Sequence, residues 1–148
     1  MTQAPPESAL PKGFRFAATA CGLKKTGALD LALISSDVPA SAAAVFTQNL
    51  VVAAPVTLSK RNLRESKGRM RAVVVNAGNA NCATGEQGEV VSLRTNEEAA
   101  RRMVMVPQEL FVCSTGVIGV QLPVEKILRA LPTLARNRRA SARSFTEL

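Results

Sequence analysis

The residues with the clearest potential for chemistry lie in one segment, Phe111-Val112-Cys113-Ser114-Thr115-Gly116-Val117-Ile118-Gly119. Its pattern predicts a short apolar strand that runs into a tight turn carrying hydroxyl groups and glycines. A backbone N–H of this turn and the Thr115 hydroxyl could point to one place, as donors do where an oxyanion develops in acyl transfer, and Gly116 would permit close backbone approach. Ser-Thr-Gly is also common in ordinary turns, so the residues alone leave both interpretations open.

No nucleophile in the sequence has an identifiable activating partner. The chain contains no histidine. Cys113 would need a base or cation to lower its pKa, and its apolar neighbours predict a buried, unreactive thiol. Ser114 and Thr115 lack a base as well. Metal-ligand spacing and a Gly-x-x-x-x-Gly-Lys phosphate loop are also absent from the sequence, which predicts no metal and no bound cofactor.

A second polar segment, Asn76-Ala77-Gly78-Asn79-Ala80-Asn81-Cys82-Ala83-Thr84-Gly85, is predicted to be a turn-rich loop. Its amide side chains could bind a ligand. Asn and Gly also tolerate the positive φ angles of tight turns, and asparagine amides can satisfy loop backbone groups. We favour the structural role for this loop.

The elements that must position these residues alternate between short strands and helices. Thr84 and Gln87 have the spacing of a capping box at the start of a helix. The consecutive valines 73–75 predict a strand buried on both faces. The predicted strands are 13–20, 29–35, 43–47, 70–75 and 110–113, and the first three are expected to form an antiparallel meander. The predicted helices are 55–66, 84–103 and one that begins at Pro123. This last helix has an apolar stripe of Val124, Ile127, Leu128 and Leu131. This pattern indicates an α/β or α+β layered fold.

Composition bounds the class of protein. The 148 residues suit one domain, with a flexible arm at 1–11, a folded unit at 12–135 and a basic, disordered tail at 136–148. The net charge is +8, but the tail carries +3 of it and no aromatic residues accompany the basic ones, so we expect no nucleic-acid partner. Three cysteines without C-x-x-C spacing, no signal-like apolar region and no membrane-length apolar run favour a cytoplasmic protein.

Several segments, taken together and in order, resemble the ornithine acetyltransferase family, bifunctional glutamate N-acetyltransferases of arginine biosynthesis. The resemblance covers about residues 11–135. The matching residues are Pro11-Lys12-Gly13-Phe14 with Asp30-Leu31-Ala32-Leu33-Ile34, Val45-Phe46-Thr47-Gln48-Asn49, Ala53-Ala54-Pro55-Val56, Val74-Val75-Asn76-Ala77-Gly78-Asn79-Ala80-Asn81, Thr84-Gly85, and Ser114-Thr115-Gly116-Val117-Ile118-Gly119.

The resemblance implies a fold of two stacked sheets between helices, similar to N-terminal-nucleophile hydrolases. It implies self-cleavage into an α chain, which this sequence resembles, and a β chain whose N-terminal Thr is the nucleophile. That Thr takes the acetyl group of N-acetylornithine and passes it to glutamate, and some members also use acetyl-CoA as donor. Thr115 and Gly116 match the family's oxyanion-hole pair. The partners implied are the β chain, in a heterotetramer-like assembly, and these small substrates.

The sequence also departs from the family pattern. The family continues past residues 124–134 to a substrate-binding Thr segment, a Lys-Gly-Ser-Gly-Met stretch and the nucleophilic Thr, none of which occurs here. The segment from Arg136 resembles nothing in the family, as a truncated or frameshifted gene would produce. We therefore expect this chain to be inactive alone. The alternative is a non-catalytic remnant or interaction module with a basic tail.

Overall fold

The computed structural model describes Pro6 and residues 9–146 of the chain. Within the predicted N-terminal arm, residues 1–5 and 7–8 lie outside the described residues. Residues 147 and 148 of the tail also lie outside them. The described elements are the strands β1 (Phe14–Thr19), β2 (Leu31–Ser41), β3 (Arg69–Asn79) and β4 (Leu110–Val117), and the helices α1 (Ala54–Glu65), α2 (Gly85–Met103), α3 (Val124–Arg136) and α4 (Ala142–Thr146), with a 3₁₀ turn at Pro107–Glu109.

The strands of the described chain form one mixed sheet in the order β1-β2-β3-β4. β1 and β2 are antiparallel, as are β2 and β3, whereas β3 and β4 are parallel. A parallel pair requires a crossover connection, which α2 supplies here. The α/β class predicted from the sequence is confirmed. The second sheet implied by the resemblance is not among the described residues.

One face of the sheet carries the hydrophobic core. Ala17, Leu33, Val74 and Val112 are paired in register across all four strands, and each is buried. α1 and α2 pack against β4, while α3 packs against β1 and α2. The apolar stripe predicted for α3 is confirmed at its buried positions, which are Val124, Ile127 and Leu131; Leu128 is partly buried against the same cluster.

The opposite face carries a second apolar row, which we call the outer row: Phe16, Ile34, Val73 and Phe111. Phe16 is buried, and its ring stands edge-on to that of Phe145 in α4, with centroids 5.2 Å apart. The other three residues of the row are only partly covered. Val75 points to the same face as Val73, so the three consecutive valines are fully buried only at Val74.

The predicted strand at 43–47 is wrong. β2 ends at Ser41, and the chain then leaves the sheet as an irregular segment up to α1. Its apolar side chains face outward: Val45 is fully exposed, and Leu50 nearly so. The sequence predicted this segment as the third strand of an antiparallel meander, but the described chain has no neighbouring strand with which it could pair.

Two predicted turns are instead strand. β3 continues through Asn79 and β4 through Val117, because these two parallel strands go on pairing to their ends. The predicted helix at 84–103 is confirmed as α2, but the capping box does not form. The Thr84 hydroxyl donates to the Asn81 side chain instead.

The predicted disorder of the tail is wrong for residues 136–146. The backbone of Arg139 pairs with that of Phe16 at the edge of β1, with both N···O distances at 2.9 Å. α4 then brings Phe145 over Phe16. These contacts are non-local, and the Arg-rich composition of the segment conceals them. In the described part of the chain, no helix is both long and apolar enough to cross a membrane.

Candidate functional site

Thr115 and Gly116 lie near the carboxyl end of β4, beside the carboxyl end of β3. Thr115 is paired with Ala77, and Gly116 with Gly78, before the register of the two strands becomes irregular at Asn79. Ligands in open α/β sheets bind outside the carboxyl ends of the strands. The predicted oxyanion pair therefore stands at the edge of the sheet where such sites are built.

Gly116 can only be glycine in this arrangement. Its φ is +133°, and a Cβ atom there would collide with the backbone carbonyl carbon of Gly78 and lie 2.5 Å from the amide N of Asn79. Gly78 itself has a φ of +107°. The two glycines let the backbones of β3 and β4 approach closely, which fixes the position of the peptide on either side of Gly116.

Asparagine side chains hold the ends of both strands together. Asn76 accepts a hydrogen bond from the Ser114 hydroxyl at 2.6 Å and donates to the Asn79 carbonyl at 2.8 Å. Asn79 donates to the carbonyl of Val120, just beyond β4, at 2.9 Å. These bonds connect the residue before Thr115 to the segment that follows the strand.

The third asparagine, Asn81, ties this region to α2. Its amide donates to the Gly88 carbonyl at 2.8 Å and to the Ser92 hydroxyl at 2.9 Å, and its oxygen accepts from Thr84. Asn81 is 1% exposed. Because the three amides are used within the fold, the structural role predicted for the asparagines is confirmed.

Asp30 supports the same region from the other side of β3, and sequence reasoning did not identify it. This buried carboxylate accepts backbone N–H groups from Cys21 and Leu23 at 2.6 Å and from Lys24 at 2.9 Å. Burial alone would raise the pKa of Asp30, but these hydrogen bonds outweigh it and hold the pKa below its usual value. The loop they form packs on Gly78, where a Cβ would contact Lys24 and Leu23 at 3.4 and 3.6 Å.

Helix side chains cover the first half of the free edge of β4. Ser59 bonds both the N–H and the C=O of Val112, at 3.1 and 2.9 Å. The Leu110 carbonyl accepts from Asn62 and Asn96. Sequence reasoning missed these three polar residues, because a single buried polar side chain in an amphipathic helix gives no pattern of its own.

The alternation along β4 determines what the second half of this edge presents. Leu110 and Val112 direct backbone groups away from β3, and successive strand residues alternate sides. Ser114 and Gly116 are the next two residues of β4 whose backbone groups should point away from β3, and they lie beyond the residues that α1 side chains contact. Their N–H groups are therefore expected at the uncovered edge, where one could donate to a ligand.

The Thr115 side chain is exposed, and its hydroxyl has no hydrogen-bond partner among the described residues. Cys113 lies on the same face of β4. It is exposed rather than buried, so that prediction is wrong, because the described chain covers the outer face of β4 only partly at this point. Partial desolvation by the sheet still raises the pKa of the Cys113 thiol, which keeps it in the unreactive protonated form.

A cavity of about 330 Å³ opens beside these residues. Phe111, Cys113 and Ser114 form its β4 wall, and the start of α1 and residues 44–46 form the other walls. It is mostly apolar with few polar groups, as small-molecule sites are. The part of the chain that the structure describes contains no group of three or more side chains that could together bind a metal ion.

Comparison with known proteins identifies the family. A sequence model described as the ArgJ family matches residues 15–146, which is most of the chain. The chain belongs to the ArgJ family. Residues 136–146 fall inside this match, so the expectation that nothing from Arg136 onward resembles the family is wrong for them.

Individual ArgJ relatives agree with this assignment. The arginine biosynthesis bifunctional protein ArgJ of Geobacter sulfurreducens is 52% identical over 123 residues, covering 83% of this chain and 31% of that protein. That of Thermus thermophilus is 53% identical over 125 residues, covering 84% and 32%. The chain thus spans about a third of the length of these curated relatives.

Two crystal structures of ArgJ proteins share the fold. Ornithine acetyltransferase from Mycobacterium tuberculosis, solved in complex with ornithine, matches with a TM-score of 0.89 and 38% identity, covering 99% of this chain and 77% of that chain. The bifunctional protein ArgJ of Bacillus halodurans matches with a TM-score of 0.87 and 31% identity, covering 97% and 72%.

Proposed function

We propose that this chain supplies the oxyanion-stabilising part of an acetyl-transfer site that moves an acetyl group from N-acetylornithine to glutamate. The observation that carries the proposal is the placement of Thr115 and Gly116. The exposed Thr115 hydroxyl and the Gly116 backbone N–H, which the alternation of β4 is expected to direct to the uncovered strand edge, belong to adjacent residues at the carboxyl end of β4. The backbone there is fixed by the contact between Gly116 and Gly78. Such preorganised donors stabilise developing negative charge because they need no rearrangement during the reaction.

The proposed reaction has two half-steps that use the same donors. A nucleophilic Thr, supplied by sequence outside these 148 residues, attacks the acetyl carbonyl carbon of N-acetylornithine, and the carbonyl oxygen becomes negatively charged. Thr115 and Gly116 donate to that oxygen. Collapse of the tetrahedral intermediate breaks the C–N bond, releases ornithine after protonation of its amine, and leaves an acetyl ester on the Thr. The amine of glutamate then attacks this ester through a second oxyanion in the same position. Collapse of this second intermediate breaks the ester C–O bond, the proton lost by the amine passes to the Thr oxygen, and N-acetylglutamate is released.

The partner in this proposal is the remainder of the enzyme, including the β chain implied by the resemblance. Ile34, Val73 and Phe111 of the outer row are only partly covered by the described chain. A second sheet packed face to face would cover them and produce the two-sheet layering of the resembled fold. The alternative of a module with a free basic tail has less support, because Arg139 pairs with Phe16 and its segment is built into the fold.

Reconstitution tests the proposal. The 148-residue chain is co-expressed with the unmatched remainder of the Geobacter sulfurreducens relative, and transfer of acetyl to glutamate is measured with N-acetylornithine or acetyl-CoA as donor. We expect transfer by the reconstituted pair and none by the chain alone. Thr115→Ala should lower kcat about 10²- to 10³-fold with a much smaller change in KM.

Thr133→Ala, at an exposed position of α3, is the matched control and should keep the unsubstituted kcat. A reconstituted pair in which Thr115→Ala retains full kcat would remove Thr115 from the oxyanion role. Turnover by the 148-residue chain alone would show that it carries its own nucleophile, contrary to the proposal.

A further inference from the structure

The face of the sheet that carries the hydrophobic core, which we call the core face, becomes polar just before the proposed oxyanion donors. On this face β3 continues from Val74 to Asn76 and β4 from Val112 to Ser114, and the two polar residues are paired directly. Asn76 is 3% exposed, although asparagine is uncommon both in strands and in protein interiors. Departures from local preference of this kind occur at functional sites, and this one adjoins Thr115.

The side-chain amide of Asn76 uses both its oxygen and its nitrogen. The oxygen accepts a hydrogen bond from the Ser114 hydroxyl at 2.6 Å, and the nitrogen donates to the Asn79 carbonyl at 2.8 Å. One side chain therefore joins the residue before Thr115 on β4 to the end of β3. An ionised aspartate has the same shape but no donor, and an aliphatic side chain has neither group. The two bonds together therefore require an amide at this position.

The Asn79 end of this connection leads to Gly116. The peptide between Gly78 and Asn79 packs directly against Gly116, because a Cβ atom on Gly116 would lie 2.5 Å from the amide nitrogen of Asn79. The register of β3 and β4 becomes irregular at Asn79, and such irregularities disrupt the regular hydrogen bonds of a strand pair. The bond from Asn76 therefore holds a peptide that the strand pairing holds incompletely.

Packing alone does not account for a polar pair at this place. Replacing both partners of a buried hydrogen bond by apolar groups of similar shape can leave stability almost unchanged. Hydrogen bonds have defined lengths and angles, whereas apolar contacts are non-directional, so the polar pair fixes the relative position of the two strands more closely. Oxyanion stabilisation needs such precision, because a displacement of about 1 Å can greatly reduce the rate of a reaction.

We propose that Asn76 and Ser114 are positioning residues of the acetyl-transfer site, an inference that rests on the proposed function. The Ser114 bond fixes the backbone immediately before Thr115, and the Asn79 bond fixes the peptide on which Gly116 packs. Asn76 and Ser114 lie on the core face, whereas the Thr115 side chain points to the opposite face. They therefore act through the backbone of β4 and not through contact with the acetyl group.

Kinetics of the reconstituted pair test this role. Ser114→Ala should lower kcat about tenfold and leave KM nearly unchanged, because it displaces groups that stabilise the transition state rather than groups that bind substrate. Ser114→Thr keeps the hydroxyl and should restore most of kcat. Asn76→Asp should lower kcat at least as much as Ser114→Ala, because it loses the bond to Asn79 and adds a buried charge.

Two variants elsewhere in the chain are matched controls and should keep the unsubstituted kcat. Ser66→Ala removes a partly buried hydroxyl that donates to the Leu63 carbonyl at 3.2 Å, just after α1. Asn137→Asp makes the same change from amide to acid at an exposed position. Full kcat in Ser114→Ala, or equal losses in Ser114→Ala and Ser114→Thr, would overturn the inference.

Amide hydrogen exchange in the 148-residue chain gives a second measurement that requires no turnover. The alternation of β4 directs the Thr115 N–H toward β3. This N–H should exchange about tenfold faster in Ser114→Ala and in Asn76→Asp, and at the unsubstituted rate in Ser66→Ala. Equal Thr115 exchange in all of these proteins would show that the pair does not hold this backbone.

The two measurements separate this inference from the function on which it rests. An inactive unsubstituted pair, or full kcat in Thr115→Ala, would contradict the proposed function, and hydrogen exchange alone would then decide whether Asn76 and Ser114 hold the backbone. An active pair in which only the Ser114→Ala and Asn76→Asp results fail would contradict the positioning role alone. Should Asn76→Asp fail to fold, the comparison of Ser114→Ala with Ser114→Thr decides the matter.

Discussion

The ionised carboxylate of Asp30 holds the loop that packs on Gly78, beside the candidate site. Asp30→Asn should lower the free energy of unfolding by about 2 kcal/mol at pH 7, because an amide cannot replace a carboxylate that accepts three backbone N–H groups. The pKa of Asp30 is lower in the folded chain than the value of about 3.9 of an unfolded one. Its contribution is therefore complete above about pH 5 and is lost as pH falls through the folded pKa.

Urea unfolding at several pH values measures this effect. The difference between the unsubstituted chain and Asp30→Asn should shrink as the pH falls below 4, since the wild-type carboxyl then becomes protonated as well. Glu125→Gln, which removes an exposed ion pair with Arg94, should change stability by less than about 0.5 kcal/mol. A constant difference between wild type and Asp30→Asn at every pH would refute the assigned ionisation.

At the scale of single residues, the sequence predicted which residues could form the site but not their local structure. Thr115 and Gly116 were predicted to lie in a turn, yet they continue β4 because Gly116 packs on Gly78 of β3. That contact joins segments far apart in the chain and has no local signal. The role of Asp30 could not be predicted either, because a lone carboxylate beside a strand gives no indication that three backbone N–H groups will donate to it.

At the scale of elements, local periodicity predicted the helices and most strands, while the ends depended on partners. β3 and β4 extend beyond the predicted bounds because each pairs with the other. The segment 43–47, predicted as the third strand of the meander, has no neighbouring strand in the described chain. The tail had the composition of a disordered segment, and its order rests on Phe145 and Arg139 meeting β1.

The docking of α4 on β1 gives a test at the element scale. Phe145→Ala should lower the free energy of unfolding by about 1 kcal/mol, less than for a fully buried Phe because the side chain is 41% exposed. It should also make the peptide bonds after Arg138 and Arg139 more sensitive to trypsin, since the backbone pair with Phe16 becomes less protected. Val90→Ala, at an exposed position of α2, is the control and should leave both measurements unchanged. Equal trypsin sensitivity in Phe145→Ala and wild type would contradict the docked tail.

At the scale of the whole molecule, the described chain has a well-packed helical side and an incompletely covered outer side. Helices bury the core row Ala17, Leu33, Val74 and Val112, whereas the outer row is fully buried only at Phe16 and partly covered elsewhere. The segment 42–53 adds fully exposed apolar side chains to the exterior. Exposed apolar surface of this extent is typical of an interface, which agrees with the proposed contact with the rest of an ArgJ enzyme.

The purified 148-residue chain should therefore self-associate in a concentration-dependent manner. The reason is hydrophobic: removing Val45 and Leu50 from water stabilises any contact between copies by about 25 cal/mol for each Å² of apolar area buried. Sedimentation velocity over a hundredfold concentration range should show a rising mean mass, and the double variant Val45→Lys with Leu50→Lys should reduce it. Val104→Lys, which changes another highly exposed valine just after α2, should associate like the unsubstituted chain. If all three proteins remain monomeric over the whole concentration range, the segment 42–53 does not drive self-association. The interface would then have to lie on the outer row alone.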